Sequence, residues 1–109
     1  MEYEFYTEQD WKLFRKKLPD WQEAYMGKLL EEYRLILEKD TLPSDRYHEL
    51  EGRLFKDRRK TGVTATDVKR SNLPHLLLSL LRENAITFSD LDDFSKDLQD
   101  YLKKVLSYE

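Results

Sequence analysis

His75 and Ser79 stand one helical turn apart, with Asn72 below them on the same stripe, so an imidazole and a hydroxyl share one face. Such a pair becomes a nucleophile only with an acid to orient the ring and donors to hold an oxyanion. The stripe is completed by Arg82 and reads more simply as the polar edge of a leucine-rich helix, hydrogen-bonded or facing water. His48-Glu49 opens like a helical zinc motif, but Gly52 occupies the place of the second histidine. A di-iron bundle needs Glu-x-x-His on two helices; Asp45 to His48 approaches it once, with Asp in place of Glu. Glu31-Glu32 and Asp92-Asp93 are sequence neighbours, so each pair diverges around its helix and cannot act as paired carboxylates. Glycines 27, 52 and 62 are isolated and build no phosphate loop. No catalytic residue, metal ligand or cofactor is expected.

The strongest local signal is charge. Residues 53–70 carry a net +5 in a chain whose total is -3, with Arg53, Lys56, Arg58, Arg59, Lys60, Lys69 and Arg70 against Asp57 and Asp67. One reading is a hand for a polyanion, in which each cation releases counterions from phosphates and Gly62 admits close backbone approach. The other is a helix end whose cations suit its dipole and face Asp90, Asp92, Asp93, Asp97 and Asp100 of the last helix. The candidate binding residues are Arg58, Arg59, Lys60, Lys69 and Arg70, with the reading as solvated or internally paired charge preferred. A helix-turn-helix over 71–107 fails on the same ground, because residues 89–100 would bring five acids and one base against DNA.

These residues must be positioned by a small framework. A chain of 109 residues is expected to form one domain with its own core. Charged residues make up 38% of it, well above the usual ~25%, yet the apolar residues are large and periodic, unlike those of disordered segments. Cysteine is absent, which excludes disulfides, thiolate metal sites and a cysteine nucleophile, and fits a reducing cytoplasm. The acidic N-terminus lacks the basic patch and apolar run of a secretory signal. The most apolar stretch, 73–81, is far short of the ~20 residues that span a bilayer, so a soluble cytoplasmic protein with no membrane partner is expected.

Leucine dominates the aliphatic residues and β-branched residues are scarce, which favours helix over sheet. The first helix is expected after Thr7, whose hydroxyl caps the amide of Asp10 while Tyr6 staples onto Trp11; Trp11, Phe14 and Leu18 line one side. Pro19 is expected to end it and open a second helix running to Lys39, with Trp21, Tyr25, Met26, Leu29, Leu30, Tyr33, Ile36 and Leu37 as its wide face. A third, from Ser44 or Asp45, points Tyr47, Leu50, Leu54 and Phe55 inward and ends near Gly62 as a left-handed cap. The fourth follows Asn72, tolerates Pro74 in its first turn, and is leucine-rich around most of its circumference, so it should be the most buried. Asn84 closes it. Thr87 or Ser89 then caps a fifth, with Leu91, Phe94, Leu98, Tyr101, Leu102 and Val105 in 3–4 repeat. The fold class is all-α, a compact single-domain bundle of about five helices.

Phe5-Tyr6-Thr7, Asp10-Trp11-Lys12-Leu13-Phe14, Trp21-Gln22-Glu23 with Tyr25-Met26, Thr61-Gly62-Val63, and Ile86-Thr87 leading to Asp90-Leu91 and Phe94-Ser95 resemble a family of short uncharacterised bacterial proteins. The likeness spans nearly the whole chain. It implies the domain boundaries and carries over no functional residue; the multidrug-transporter label of some members conflicts with the lack of a membrane span. Eight of the fourteen aromatic residues fall in the first 33 positions. They read as core, or as a cage for a flat or cationic ligand, with Tyr3 and Phe5 ahead of any helix and open to a partner. The expected function is non-catalytic, an accessory or regulatory module that binds another protein, possible homodimer included. The alternative is weak, sequence-independent binding of nucleic acid or another polyanion through the basic bend.

Overall fold

The computed structural model describes residues 6–109, and the described residues are helical and loop without strand. Four α-helices are present: α1 (Glu8–Leu37), α2 (Pro43–Asp57), α3 (Leu73–Arg82) and α4 (Lys96–Ser107), with short 3-10 turns at Arg70–Asn72 and Phe88–Leu91. The all-α class is as expected; the helix count is four, one fewer than the spacing suggested. Tyr3 and Phe5 lie outside the described residues.

The first difference is Pro19, which sits inside α1 instead of ending a helix. Its ring lacks the amide that would reach the carbonyl of Arg15, at a cost of roughly 3 kcal/mol in a helix interior. Packing on both sides of the proline outweighs that cost. Phe14 meets Trp21 across it at 6.3 Å between ring centres, and Trp21 stacks on Phe94 at 6.2 Å. Both flanks of Pro19 thus belong to one core, which holds them in line.

The second difference is at the last helix. Thr7 and Asp10 form the expected reciprocal cap, with Asp10 N donating to Thr7 Oγ1 at 3.1 Å and Thr7 N to Asp10 Oδ2 at 3.0 Å. Thr87 and Asp90 make the same box, but it caps only a 3-10 turn. The helix proper begins at Lys96, behind Ser95. Ser95 spends its amide on Asp10 Oδ1 at 2.8 Å and donates its hydroxyl to Asp10 Oδ2 at 2.6 Å, so that amide is withheld from the preceding turn. One buried carboxylate therefore fastens the starts of α1 and α4 together.

α3 is the expected central helix, with Leu73, Leu76, Leu77, Leu78, Leu80 and Leu81 all buried. Asn84 closes it in the left-handed region at φ 62°, with Asn84 N donating to Leu81 O and Ala85 N to Leu80 O. Around α3 gather Trp11, Phe14 and Leu18 from α1 and Leu91, Phe94, Leu98 and Leu102 from the C-terminal elements. A second, smaller cluster of Tyr25, Leu29, Tyr33 and Ile36 lies further along α1, beside Leu50 and Val63. There α1 continues past the main core and pairs chiefly with α2, with Val63 and Ala85 packed at the near end of the cluster. The pairing is antiparallel: Leu37 meets Arg46, Glu32 meets Arg53 and Tyr33 meets Asp57.

Candidate protein-interaction surface

The α1–α2 hairpin is built around one buried acid. Asp57 is 1% exposed; it accepts the Tyr33 hydroxyl at 2.7 Å and pairs with Lys60 at 3.0 Å and Arg53 at 3.2 Å. Burial pushes its carboxyl up, but the Tyr33 hydroxyl, Lys60 and Arg53 outweigh burial and hold it below its ordinary value. The same pocket acts the other way on Tyr33, whose phenol is pushed up to about 12 by burial and by the Asp57 carboxylate. Arg53 reaches on to Glu32 at 2.6 Å, and Lys39 bridges to Glu49 at 2.7 Å near the tip. Polar contacts thus align two helices that share little apolar contact.

Asp57 is the one buried residue of α2. Of Tyr47, Leu50, Leu54 and Phe55, all expected to face inward, only Leu50 does so, half-buried against the α1 cluster; Tyr47 is 67%, Phe55 58% and Leu54 47% exposed. The 3–4 spacing located the apolar face correctly; it could not tell that no further element stands opposite it. On α1, Leu30 and Leu37 belong to the face expected to be buried and are also exposed, while Met26 is half-buried. An apolar trough runs over the outer face of α2 and into the groove between the two helices. One part, about 440 Å³, is lined by Tyr47, Leu50, Glu51, Leu54, Phe55 and Arg58. The other, about 240 Å³, lies over Met26, Leu29, Leu30, Tyr33 and Val63, and the two meet at Leu54 and Arg58.

The basic bend is dispersed by the fold. Arg70 pairs with Glu8 at 2.8 Å and Lys60 with Asp57, so two of the five candidate residues are engaged internally. Their partners, and that of Arg53, are acids of α1 and α2, and none is an aspartate of the last helix. Those aspartates serve elsewhere: Asp93 reaches Lys17, and Asp100 reaches Lys96. Arg58 and Arg59 both approach the Phe55 ring, at 4.7 and 5.5 Å from its centre, at the mouth of the trough. Arg58, Arg59 and Lys69 form no ion pair with another described residue.

Gly62 is not the left-handed cap expected, since no glycine has positive φ. Its role is close approach, because a β-carbon there would collide with the Tyr25 ring. Its amide and that of Thr61 donate to Glu83 at 3.0 and 2.8 Å, so the pair of donors that would suit an anion is taken by a carboxylate of the protein itself. Gln22 Nε2 holds Thr61 O at 3.0 Å from the other side. His75 and Ser79 share a dimple of about 120 Å³ with Arg59, Thr61, Thr64, Thr66, Asp67 and Asn72, and do not hydrogen-bond each other. His48 is exposed, 3.7 Å from Glu51. Among the described residues no cluster of three or more His, Cys, Asp or Glu could hold a metal ion. Nor is any helix long and apolar enough to cross a membrane. The aromatic residues described in the N-terminal third are core: Tyr6, Trp11, Phe14, Tyr25 and Tyr33 are buried and Trp21 is half-buried.

Comparison with models of protein families, with curated proteins and with solved structures finds no match.

Proposed function

We infer that the chain is a non-catalytic protein-binding module, an accessory or regulatory partner, whose interface is the apolar trough over α2 and the adjoining α1–α2 groove. The observation that carries this reading is α2 itself, an amphipathic 15-residue helix without one buried apolar side chain. A contiguous apolar surface rimmed by charge is the usual mark of a docking face on a soluble chain. Arg58 stacked beside Phe55, with Tyr47 nearby, supplies the aromatic and arginine anchors in which binding energy concentrates. Leu54→Asp is expected to abolish capture of the partner from native cells while leaving far-ultraviolet circular dichroism unchanged. An identified partner should slow amide exchange over 26–37 and 47–58. Equal capture by wild type and Leu54→Asp would overturn the reading.

A second reading, weak contact with a polyanion, is supported by Arg58, Arg59 and Lys69, which form no ion pair with another described residue. It implies sequence-independent binding that fades between low and physiological salt.

A further inference from the structure

We propose that the trough is filled by a second copy of this chain, packed antiparallel about a two-fold axis so that two α1–α2 hairpins close into a four-helix bundle. The proposal rests on the protein-binding reading and names its occupant. Two helices side by side have no interior, and an apolar stripe on each is covered only by further helices. At about 100° per residue, Tyr47, Leu54 and Arg58 lie on one side of α2, roughly a quarter turn from Arg53 and Asp57, which face α1. On α1, Met26, Leu30 and Leu37 are likewise offset from the buried line of Tyr25, Leu29 and Ile36, with the buried Tyr33 as the floor between them. The spacing of 4, 3, 4 on α1 and of 3, 4 over Tyr47, Leu50 and Leu54 is that of interlocking bundle seams.

Charge selects the occupant and its direction. Counted over both helices, the tip of the hairpin, residues 33–51, holds five acidic and three basic side chains; the base, residues 24–32 and 52–60, holds six basic and three acidic. A second copy laid antiparallel sets tip against base twice over, as two-fold symmetry requires. A parallel copy would oppose like charges. Asp40 and Asp45 at the tip, and Arg58 and Arg59 at the base, form no ion pair with another described residue, so both sets remain free to pair between copies. The shared face, about 22 Å long and about two helices wide, amounts to roughly 900 Å² over both copies, which falls in the class of weak, transient interfaces. Dimerisation in the micromolar range follows.

Sedimentation equilibrium on the full chain tests this. Wild type is expected to pass from one to two chains across micromolar concentrations, and Leu54→Asp to remain a single chain of unchanged helicity. The pair Arg58→Glu/Arg59→Glu and the pair Asp40→Lys/Asp45→Lys should each weaken self-association by about tenfold or more. Mixed in equal amounts, those two variants should recover a heterodimer, a result that misfolding cannot produce. Glu51→Cys, placed midway along the trough beside the axis, should form a disulfide-linked dimer under mild oxidation, since the chain has no other cysteine. A wild type that stays monomeric, a dimer that survives Leu54→Asp, or a mixture that fails to recover would each overturn the proposal. If wild type stays monomeric yet a different protein is still captured in a Leu54-dependent way, the second copy is excluded while the protein-binding reading stands.

Discussion

Asp57 decides how the outer half of the molecule responds to pH. Its carboxyl is held below the ordinary 3.8, so its contribution is present above that value and disappears as pH falls through the folded value. Tyr33 supplies the opposite edge: its phenol, raised to about 12, favours the fold below the ordinary 10.0, and that contribution is lost as pH rises from 10.0 toward 12. Asp57→Asn leaves Lys60 without its carboxylate and Arg53 with Glu32 alone, and is expected to cost about 1–3 kcal/mol at neutral pH. It should also flatten the acid loss measured by urea melts at stepped pH. Phenolate absorbance should show a late phase near pH 12 that Tyr33→Phe removes. None of this was legible in the sequence. Asp57 read as one acid diluting a basic run, and only the antiparallel pairing brings Tyr33, twenty-four residues earlier, onto it.

Among the elements, α1 is where local rules and tertiary packing conflict. Pro19 carries an unambiguous local signal to stop, and that signal loses to Phe14, Trp21 and Phe94, which grip both sides of it. Pro19→Ala restores an amide and removes a ring clash without touching the core, because Pro19 is exposed. It is therefore expected to raise stability by about 1–3 kcal/mol, read as a higher urea midpoint with unchanged m-value. A break at the proline would instead make alanine nearly neutral. α3 was legible throughout, from Pro74 in its first turn to Asn84 at its end, because its signals are local and its leucines are buried around most of its circumference. The start of α4 was not. Thr87-Ser89-Asp90 offered a good cap in sequence, whereas the decisive group for Ser95 is Asp10, eighty-five positions away.

At the scale of the whole molecule, the chain is elongated. Its extents are 55 × 28 × 22 Å and its radius of gyration is 16.6 Å, against about 13 Å for a globular chain of this length. The cause is a single 30-residue helix that serves two cores of unequal size. Native-state amide exchange is accordingly expected in two tiers. Amides of α3, α4 and the first half of α1 should open last, and those of α2 should open first, at well below the global free energy. Equal protection of α2 and α3 in dilute solution would contradict that division. The split also explains the fate of the candidate site. Composition and periodicity located apolar faces and charge, but whether a face finds cover depends on how many elements surround it. The outer hairpin has too few.

Maintaining the monomer and presenting its outer face are consequently tasks assigned to different residues. Leu73, Leu77, Leu80, Leu91, Leu98 and Leu102 answer only to the interior, whereas Tyr47, Leu54 and Phe55 contribute almost nothing to it. The hairpin is free to change what it recognises, through ordinary surface substitutions, without renegotiating the architecture behind it.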